Sequence, residues 1–383
     1  MKGWARVWRW VCALVLGLCH APLHARGFSA SGQWLLWMDK QGRFQGRGLS
    51  VMQYDKLQRS EAVLLEQLDG VPLFRDFALR GDSLLALRPD GSVYGFGDNG
   101  IGTLGQGVAE FRIRPMPPDV RVYDRWINGL RLIHGIVGAN QLALGGAHSL
   151  AVLEDGALCA WGFNDVGQLG APSLSSSRMR LTPWRVGGLP SMRLAAAGDG
   201  HSMALDTQGR LWTWGLNNMG QLGDGTRRNR FQPRMVAQAG PYVALAAGAG
   251  HSLALDDQGR VWSWGDNSRG QLGRFTGNNA FARKPALVQG LAPAIQIGAA
   301  GDVSAALGRD GSVWWWGGRL GRNVAARQAP WQLHRLEGLG PMQGMAVFAQ
   351  GLAVTDTQQR LWLFTEPYDQ PPRLVQDTKL GLQ

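Results

Sequence analysis

Short, mainly apolar runs recur in pairs along this chain. One pair is HSMAL from residue 201 and LWTWG from residue 211, and another is HSLAL from 251 and VWSWG from 261. Runs of this length that are bounded by turn residues are typical of short β-strands. The polar residues and glycine between the runs are typical of a tight turn, because glycine permits a positive φ. Each pair therefore predicts a β-hairpin.

Each unit contains two further extended segments. One starts at a proline, at residues 183–186, 233–236, 285–288 and 330–333. Proline has no N–H for a ladder hydrogen bond, so it is expected at the first residue of a strand or on an edge. An apolar run follows, as at residues 242–246 and 294–297, and leads into the next hairpin. Each unit is therefore predicted to hold four short strands.

The turn glycine recurs at a nearly constant spacing. It stands at Gly42, Gly91, Gly156, Gly209, Gly259 and Gly311, and Gln359 takes its place in a seventh copy. A fixed period of this size predicts a repeat architecture, and radially arranged four-stranded units form a propeller. We predict an all-β fold, a seven-bladed β-propeller of four-stranded blades. Residues 372–375 are predicted to pair with the N-terminal strands and close the ring.

Several polar and aromatic residues recur with the unit and are predicted to be structural. They are Gly91, Gly156, Gly209, Gly259, Gly311, His148, His201, His251, Trp161, Trp214, Trp264 and Trp316. A ring of metal-binding imidazoles and an aromatic stacking platform are the alternatives. Hydrogen bonding within the blades and core packing are favoured, because residues that repeat with a blade belong to its framework. No catalytic residue, metal site or cofactor is predicted.

Three motifs of the repeat carry a resemblance to a known family. GHSxAL, DxxGxxWxWG and NxxGQLG occur in the third, fourth and fifth copies and more weakly elsewhere. The chain resembles the regulator of chromosome condensation family, and in particular a bacterial, secreted type of member. The resemblance implies a seven-bladed propeller. It also implies either partner binding or nucleotide exchange on a small GTPase.

The first 25 residues resemble a signal peptide. Lys2, Arg6 and Arg9 precede a short apolar run, and small residues suited to cleavage follow it. The run is too short to span a membrane. We expect export to the periplasm or beyond, a domain at residues 26–383, and no membrane span in the mature chain. Cys159 is then the one remaining cysteine, so it is expected in the core without a disulfide.

The basic residues of the chain, whose formal net charge is +11, gather between the GQLG motif and the proline segment. The candidate partner-binding cations there are Arg178, Arg180, Arg227, Arg228, Arg230, Arg283, Lys284 and Arg322. Equivalent segments of a propeller share a face, so these side chains predict an electropositive rim for an acidic protein or an anionic envelope component. A solvated basic surface is the alternative. Aromatic residues are not regularly interleaved with these cations, so nucleic acid is not expected as a partner.

The spacing between Gly91 and Gly156 is 65 residues and indicates an insertion at about 107–130. Positive charge and aromatic area occur together there, as is typical of interfaces. The candidate binding residues in this segment are Arg112, Arg114, Tyr123, Arg125 and Trp126. A surface insertion without a role is the alternative.

These observations favour an exported, monomeric propeller scaffold that binds a protein or envelope partner through one basic face. A guanine nucleotide exchange factor-like effector is the second hypothesis. An enzyme with a site in the central funnel is the third, although the GxSxG, phosphate-loop and HExxH motifs are not found in the sequence.

Overall fold

The structure is a computed structural model. It describes residues 28–30, 34–38, 44–48, 74–81, 83–107, 112–113, 123–124, 126–171, 178–237, 240–277, 280–318, 331–349, 351–365 and 371–376. Every regular element in these ranges is a β-strand. None of the described segments forms a helix with the length and apolar character to cross a membrane. The predicted signal peptide lies outside the described residues.

Six four-stranded antiparallel sheets form the body of the molecule, and we number them blades I to VI in chain order. The first strands are β4 (Asp76–Arg80), β10 (Ala139–Leu144), β14 (Met192–Ala197), β18 (Tyr242–Ala247), β22 (Ala294–Ala300) and β26 (Met342–Phe348). The second strands are β5 (Ser83–Leu87), β11 (His148–Leu153), β15 (His201–Asp206), β19 (His251–Asp256), β23 (Val303–Gly308) and β27 (Gly351–Asp356). The third strands are β6 (Val93–Asp98), β12 (Leu158–Phe163), β16 (Leu211–Gly215), β20 (Val261–Asp266), β24 (Val313–Gly317) and β28 (Leu361–Thr365). The fourth strands are β9 (Trp126–Leu132), β13 (Met179–Arg185), β17 (Arg230–Met235), β21 (Phe281–Leu287), β25 (His334–Arg335) and β29 (Arg373–Gln376).

The first strands of successive blades contact one another and surround the axis of the propeller. These contacts run from β4 to β10 and on through β14, β18 and β22 to β26. A three-stranded N-terminal sheet, made of β1 (Phe28–Ala30), β2 (Trp34–Met38) and β3 (Phe44–Gly48), adjoins both ends of this series. Its β1 contacts both β26 and β4. The fourth strands therefore lie on the circumference, and we call this outer surface the rim.

The prediction of seven four-stranded blades is wrong. The described residues form six such blades, and the N-terminal repeat forms a sheet of three strands. The hairpin pattern from residue 34 is present in that repeat, but pairing beyond β3 is not found among the described residues. The turn motif in the sequence thus predicts a hairpin, but it does not predict whether a fourth strand pairs with that hairpin.

The predicted closure of the ring is also wrong. Strand β29 pairs with β28 and completes blade VI, rather than pairing with the N-terminal strands. The physical reason is that each blade begins one strand earlier in the sequence than its hairpin. The apolar run that precedes each hairpin is the first strand of its own blade, as β18 is for blade IV. The N-terminal repeat therefore starts with its own first strand, and the last blade supplies its own fourth.

The fourth strands begin three or four residues before the proline that was predicted to start them. Pro183, Pro233 and Pro285 lie inside β13, β17 and β21. These strands are at the outer edge of each sheet, where a missing N–H removes no ladder hydrogen bond. The pairing register shifts beside them, as between Thr213 and Gly215. An edge strand with an irregular register thus accommodates an internal proline.

The hairpin turns between the second and third strands require a left-handed residue. The glycines at these turns, Gly91, Gly156, Gly209, Gly259 and Gly311, have φ between 76° and 80°. In blade VI the same position is held by Gln359 with φ of 63°. A Cβ at Gly209 would also lie 2.8 Å from the carbonyl oxygen of Tyr242. Glycine therefore relieves both backbone strain and a close approach of the next blade.

The core consists of apolar clusters between consecutive blades. Four of these clusters contain a fully buried tryptophan from the WG pair of a third strand, namely Trp161, Trp214, Trp264 and Trp316. Trp214 of blade III, for example, packs against Leu150 and Leu158 of blade II. Cys159 is free and buried, as expected, and burial raises the pKa of its thiol. The blades are therefore held together by side chains that reach into the preceding blade.

Candidate partner-binding rim

The recurring histidines form hydrogen bonds between blades. His148, His201 and His251 stand at the start of the second strands of blades II, III and IV and are fully buried. Their Nε2 atoms lie 2.7 Å, 3.0 Å and 2.7 Å from the hydroxyls of Ser202, Ser252 and Ser304 of the next blade. Each histidine therefore connects its blade to the following one.

The hydrogen bonds of these serines determine the histidine tautomer. Each hydroxyl donates to a main-chain carbonyl, as the hydroxyl of Ser202 does to Gln168 over 2.7 Å. With its hydrogen engaged there, Ser202 can only accept from His148, so Nε2 of His148 carries the proton. Nδ1 has no hydrogen-bond partner among the described residues. Burial first, and the charges of His201 and Arg80 next, lower the pKa of His148 to about 3.

One carbonyl at each junction accepts both this serine and the buried tryptophan. The indole of Trp214 donates to the carbonyl of Gln168 over 2.9 Å, beside the hydroxyl of Ser202. The equivalent acceptors are Thr103, Gln221 and Gln271 at the neighbouring junctions. The GQLG motif therefore carries the acceptor that the next blade requires.

Replacing Ser202 by alanine should test this network. In Ser202→Ala the buried Nε2–H of His148 loses its acceptor, so we expect the free energy of unfolding to fall by about 2 kcal/mol. Urea denaturation of the variant and the wild type measures the difference. The exposed Ser191→Ala serves as the control, and equal stability of both variants would contradict the assigned tautomer and network.

The recurring acidic residues also have structural partners. The carboxylate of Asp206 accepts from the main chain of Gln208 and Arg210, from the Arg210 side chain and from the indole of Trp212. Burial by itself would raise the pKa of Asp206, but these hydrogen bonds outweigh it and lower the pKa. Asp256 and Asp356 make the same contacts in blades IV and VI. The residues that repeat are thus engaged inside the framework.

The candidate cations lie on the rim, on the outermost strands and the segments just before them. Arg180, Arg230, Arg283 and Lys284 are within β13, β17 and β21, and Arg178, Arg227 and Arg228 precede these strands. Two of them are paired: Arg178 lies 3.2 Å from Asp165, and Arg230 lies 2.9 Å from Asp224. The rim charge is therefore smaller than the count of its cations, and Arg180, Arg227, Arg228, Arg283 and Lys284 carry the excess.

Two of these arginines stack on aromatic rings. The guanidinium of Arg180 lies 4.0 Å from the ring centroid of Trp184. Arg227, in blade III, lies 4.6 Å from the ring centroid of Phe281 in blade IV. Such contacts hold an exposed cation in place at little cost in hydration. The arginine of blade III is thereby positioned by the next blade.

Aromatic side chains on the rim were not predicted from the sequence. Trp184 is 38% exposed and Phe275 is 61% exposed, and the rings of Phe275 and Trp331 lie 4.9 Å apart. Trp184 stands on the same strand as Arg180 and Phe275 follows Arg274, so these segments carried a signal that could have found both rings. Arg227 and Phe281 come from different blades, and only packing between blades brings them together.

The other candidates are only partly described. Arg112 and Tyr123 lie in a two-stranded sheet, β7 (Arg112–Ile113) and β8 (Tyr123–Asp124), and Trp126 begins β9. Arg114, Arg125 and Arg322 lie outside the described residues. Among the described side chains no group of three or more potential metal ligands occurs.

Comparison with known proteins identifies the repeat. The family model described as Regulator of chromosome condensation (RCC1) repeat matches residues 155–205, 208–255 and 258–307. A second model with the same description matches residues 140–168, 194–221 and 242–271. Together the two models contain the residues of the three His–Ser contacts, whereas Trp316 lies outside both.

Two curated relatives share this region. The E3 ubiquitin-protein ligase HERC2 of Homo sapiens is 32% identical over 157 residues, which is 40% of this chain and 3% of that protein. The ultraviolet-B receptor UVR8 of Arabidopsis thaliana is 31% identical over 189 residues, which is 49% of this chain and 39% of that protein. The chain thus spans well under half the length of these relatives.

Solved structures show the same fold. A chain in the crystal structure of Kap60 bound to yeast RCC1 (Prp20) aligns with a TM-score of 0.66 and 19% identity, over 91% of this chain and 81% of that one. Prp20p from Saccharomyces cerevisiae, in a structure described with its binding to Gsp1p and histones, aligns with a TM-score of 0.63 and 19% identity. The alignment covers 83% of this chain and 79% of that one. At 19% sequence identity, these alignments show similarity of fold alone. The chain therefore contains RCC1 repeats between residues 140 and 307 and folds as an RCC1-like β-propeller.

Proposed function

We propose that this chain is an exported protein-binding module that holds an acidic partner on the rim of its propeller. The contacts that recur in the blades engage their polar side chains inside the framework. The rim residues, by contrast, differ from blade to blade and can contribute to recognition of a partner. Two solved structures with this fold are described together with protein partners, and this favours binding over catalysis.

One observation carries the proposal. Arginines without a carboxylate partner among the described residues stack on aromatic rings at the rim, as Arg180 does on Trp184 and Arg227 on Phe281. Arginine and tryptophan are enriched among the residues that dominate interface energetics. An arginine already held by stacking loses less conformational entropy on binding than a free one. The rim is therefore suited to bind a surface that presents carboxylates.

Export is the part of the proposal that rests on the sequence. The basic residues, apolar run and small residues before Arg26 have the layout of a signal peptide. Cys159 is buried in blade II. A thiol in the core does not require a reducing compartment to stay unpaired, so the fold is compatible with an oxidising one.

Charge reversal on the rim tests the proposal. We expect Arg227→Glu/Arg228→Glu to weaken capture of a partner from periplasmic and culture-supernatant fractions, and to raise its Kd about tenfold at low salt. The dependence of log Kd on salt should also become shallower, because two attractive charges are lost. Arg230 is left intact, since its reversal would place two carboxylates together at Asp224.

The control has the same change in net charge. Arg131→Glu/Arg309→Glu alters two exposed arginines of blades I and V and should bind as the wild type does. Captured proteins are identified by mass spectrometry, and each Kd is then measured with the purified partner. If both double variants lost affinity for the partner equally, or if neither lost affinity, binding through this part of the rim would be contradicted.

A further inference from the structure

A depression opens on the rim at the junction between blades III and IV. It is lined by Gly225 of blade III and by Arg274, Ala282, Arg283, Lys284, Pro285 and Ala286 of blade IV. Its volume is about 310 Å³, at the small end of the range for ligand pockets. Three of the seven lining residues are cations and none is an acid. The depression is thus small and strongly positive.

The blades fix the shape of this depression. The amide of Gly225 donates to the carbonyl of Arg283 over 2.9 Å, so the loop of blade III is attached to β21. A Cβ at Gly225 would lie 3.2 Å from Cε of Lys284, and a Cβ at Gly220 would lie 2.9 Å from Cα of Arg283. The two cations of β21 are therefore held against the preceding blade by its glycines.

Arg274 is partly buried, whereas Arg283 and Lys284 are exposed. Nε and Nη2 of Arg274 donate to the hydroxyl and carbonyl of Ser263 over 3.1 Å and 2.9 Å. Burial lowers the pKa of its guanidinium, which nevertheless remains charged in any ordinary buffer. No carboxylate of the described residues pairs with it, so the two bonds to Ser263 orient the group without neutralising it. A partly buried cation of this kind favours an anionic ligand.

The three cations are not part of the repeat. The positions of Arg274, Arg283 and Lys284 correspond to Asp224, Phe231 and Gln232 in blade III, and to Ala171, Leu181 and Thr182 in blade II. In blade III the first position forms an ion pair, between Asp224 and Arg230. In blade IV an arginine replaces that acid and Ala282 replaces its partner. The framework folds without these cations elsewhere, so their concentration at one junction needs another explanation.

We propose that this depression is a binding site for a phosphate group, held by Arg274, Arg283 and Lys284. A phosphate monoester carries about −1.5 to −2 charges and three acceptor oxygens, which matches a depression lined by three cations better than a single carboxylate does. A planar guanidinium can bind two of these oxygens at once, and the lysine adds a point charge. The site goes beyond the proposed binding of a protein partner and does not depend on it.

Calorimetric titration of the folded full chain with inorganic phosphate tests the site, with ionic strength held constant by chloride. We expect saturable binding at one site, with a Kd of about 1 mM or lower. Arg283→Gln/Lys284→Gln should weaken it at least tenfold, by about 1.4 kcal/mol. Both side chains are exposed, so folding should be unaffected. The control Arg234→Gln, an exposed arginine of β17 outside the depression, should bind as the wild type does.

A second titration with O-phosphoserine distinguishes a free anion from a phosphate carried by a larger molecule. Tighter binding of inorganic phosphate indicates a free anion, and tighter binding of phosphoserine indicates a carried group; both support the site. Equal affinity for acetate would overturn the assignment to phosphate. No saturable binding, or equal weakening in Arg234→Gln, would overturn the site itself. Either failure would leave the test with Arg227 and Arg228 unaffected.

Discussion

Replacing Gly198 by alanine should reduce the free energy of unfolding by about 3 kcal/mol or more. Gly198 follows the first strand of blade III, and its backbone does not require a positive φ. A methyl group there would overlap the ring of His201 and lie 2.8 Å from the carbonyl oxygen of Gly248. The ring cannot move aside, because its Nε2 is bonded to Ser252 across the blade junction. Overpacking of a rigid site costs stability in this range.

Gly187→Ala provides the matched control. Gly187 is exposed and a Cβ there meets nothing within 4 Å, so its stability should stay within about 1 kcal/mol of the wild type. Urea denaturation of the two variants separates the steric effect from the general effect of replacing a glycine. If Gly198→Ala were as stable as Gly187→Ala, the packing of the His201 ring against the main chain would be wrong.

Acidification from pH 7 to pH 5 should remove much of the stability of the propeller. Burial is the main cause that lowers the pKa values of His148, His201 and His251 to about 3, and the nearby charge of Arg80 adds to it. In the unfolded chain each imidazole binds a proton near pH 6.5. The stability is therefore complete above that pH and is lost as the pH falls. At pH 5 the loss is about 2 kcal/mol for each histidine.

The pH slope of stability measures the number of protons taken up on unfolding. Between pH 7 and pH 5 we expect these three histidines to raise it towards three, with a further contribution from His334, whose pKa is also lowered by burial. His201→Gln should lower the slope by one. The exposed His134→Gln should leave the contribution of the buried imidazoles unchanged. Below pH 5, protonation of carboxylates with lowered pKa values, such as that of Asp206, should reduce the free energy of unfolding further. A flat profile between pH 7 and pH 5 would contradict neutral, buried histidines.

Local patterns predicted those parts of the fold that depend on neighbouring residues in the chain. The hairpins, the positive φ at Gly156 and Gly209, and the four-stranded unit follow from short apolar runs, the recurring proline and turn chemistry, which act over a few residues. The number of four-stranded blades and the closure of the ring depend on which strand edges meet. Strand β29 could pair with β28 or with an N-terminal strand by the same backbone hydrogen bonds, so its sequence did not decide between them.

The sequence by itself determined that this protein is a β-propeller containing RCC1 repeats and that its basic residues gather between the GQLG motif and the proline segment. Only the tertiary structure decided which cations are paired, as Arg230 is with Asp224, and which stack on rings, as Arg227 does on Phe281. It also brought Arg274 beside Arg283 and Lys284. Charge is a property of each residue, whereas its neutralisation depends on distances between residues of different strands and blades.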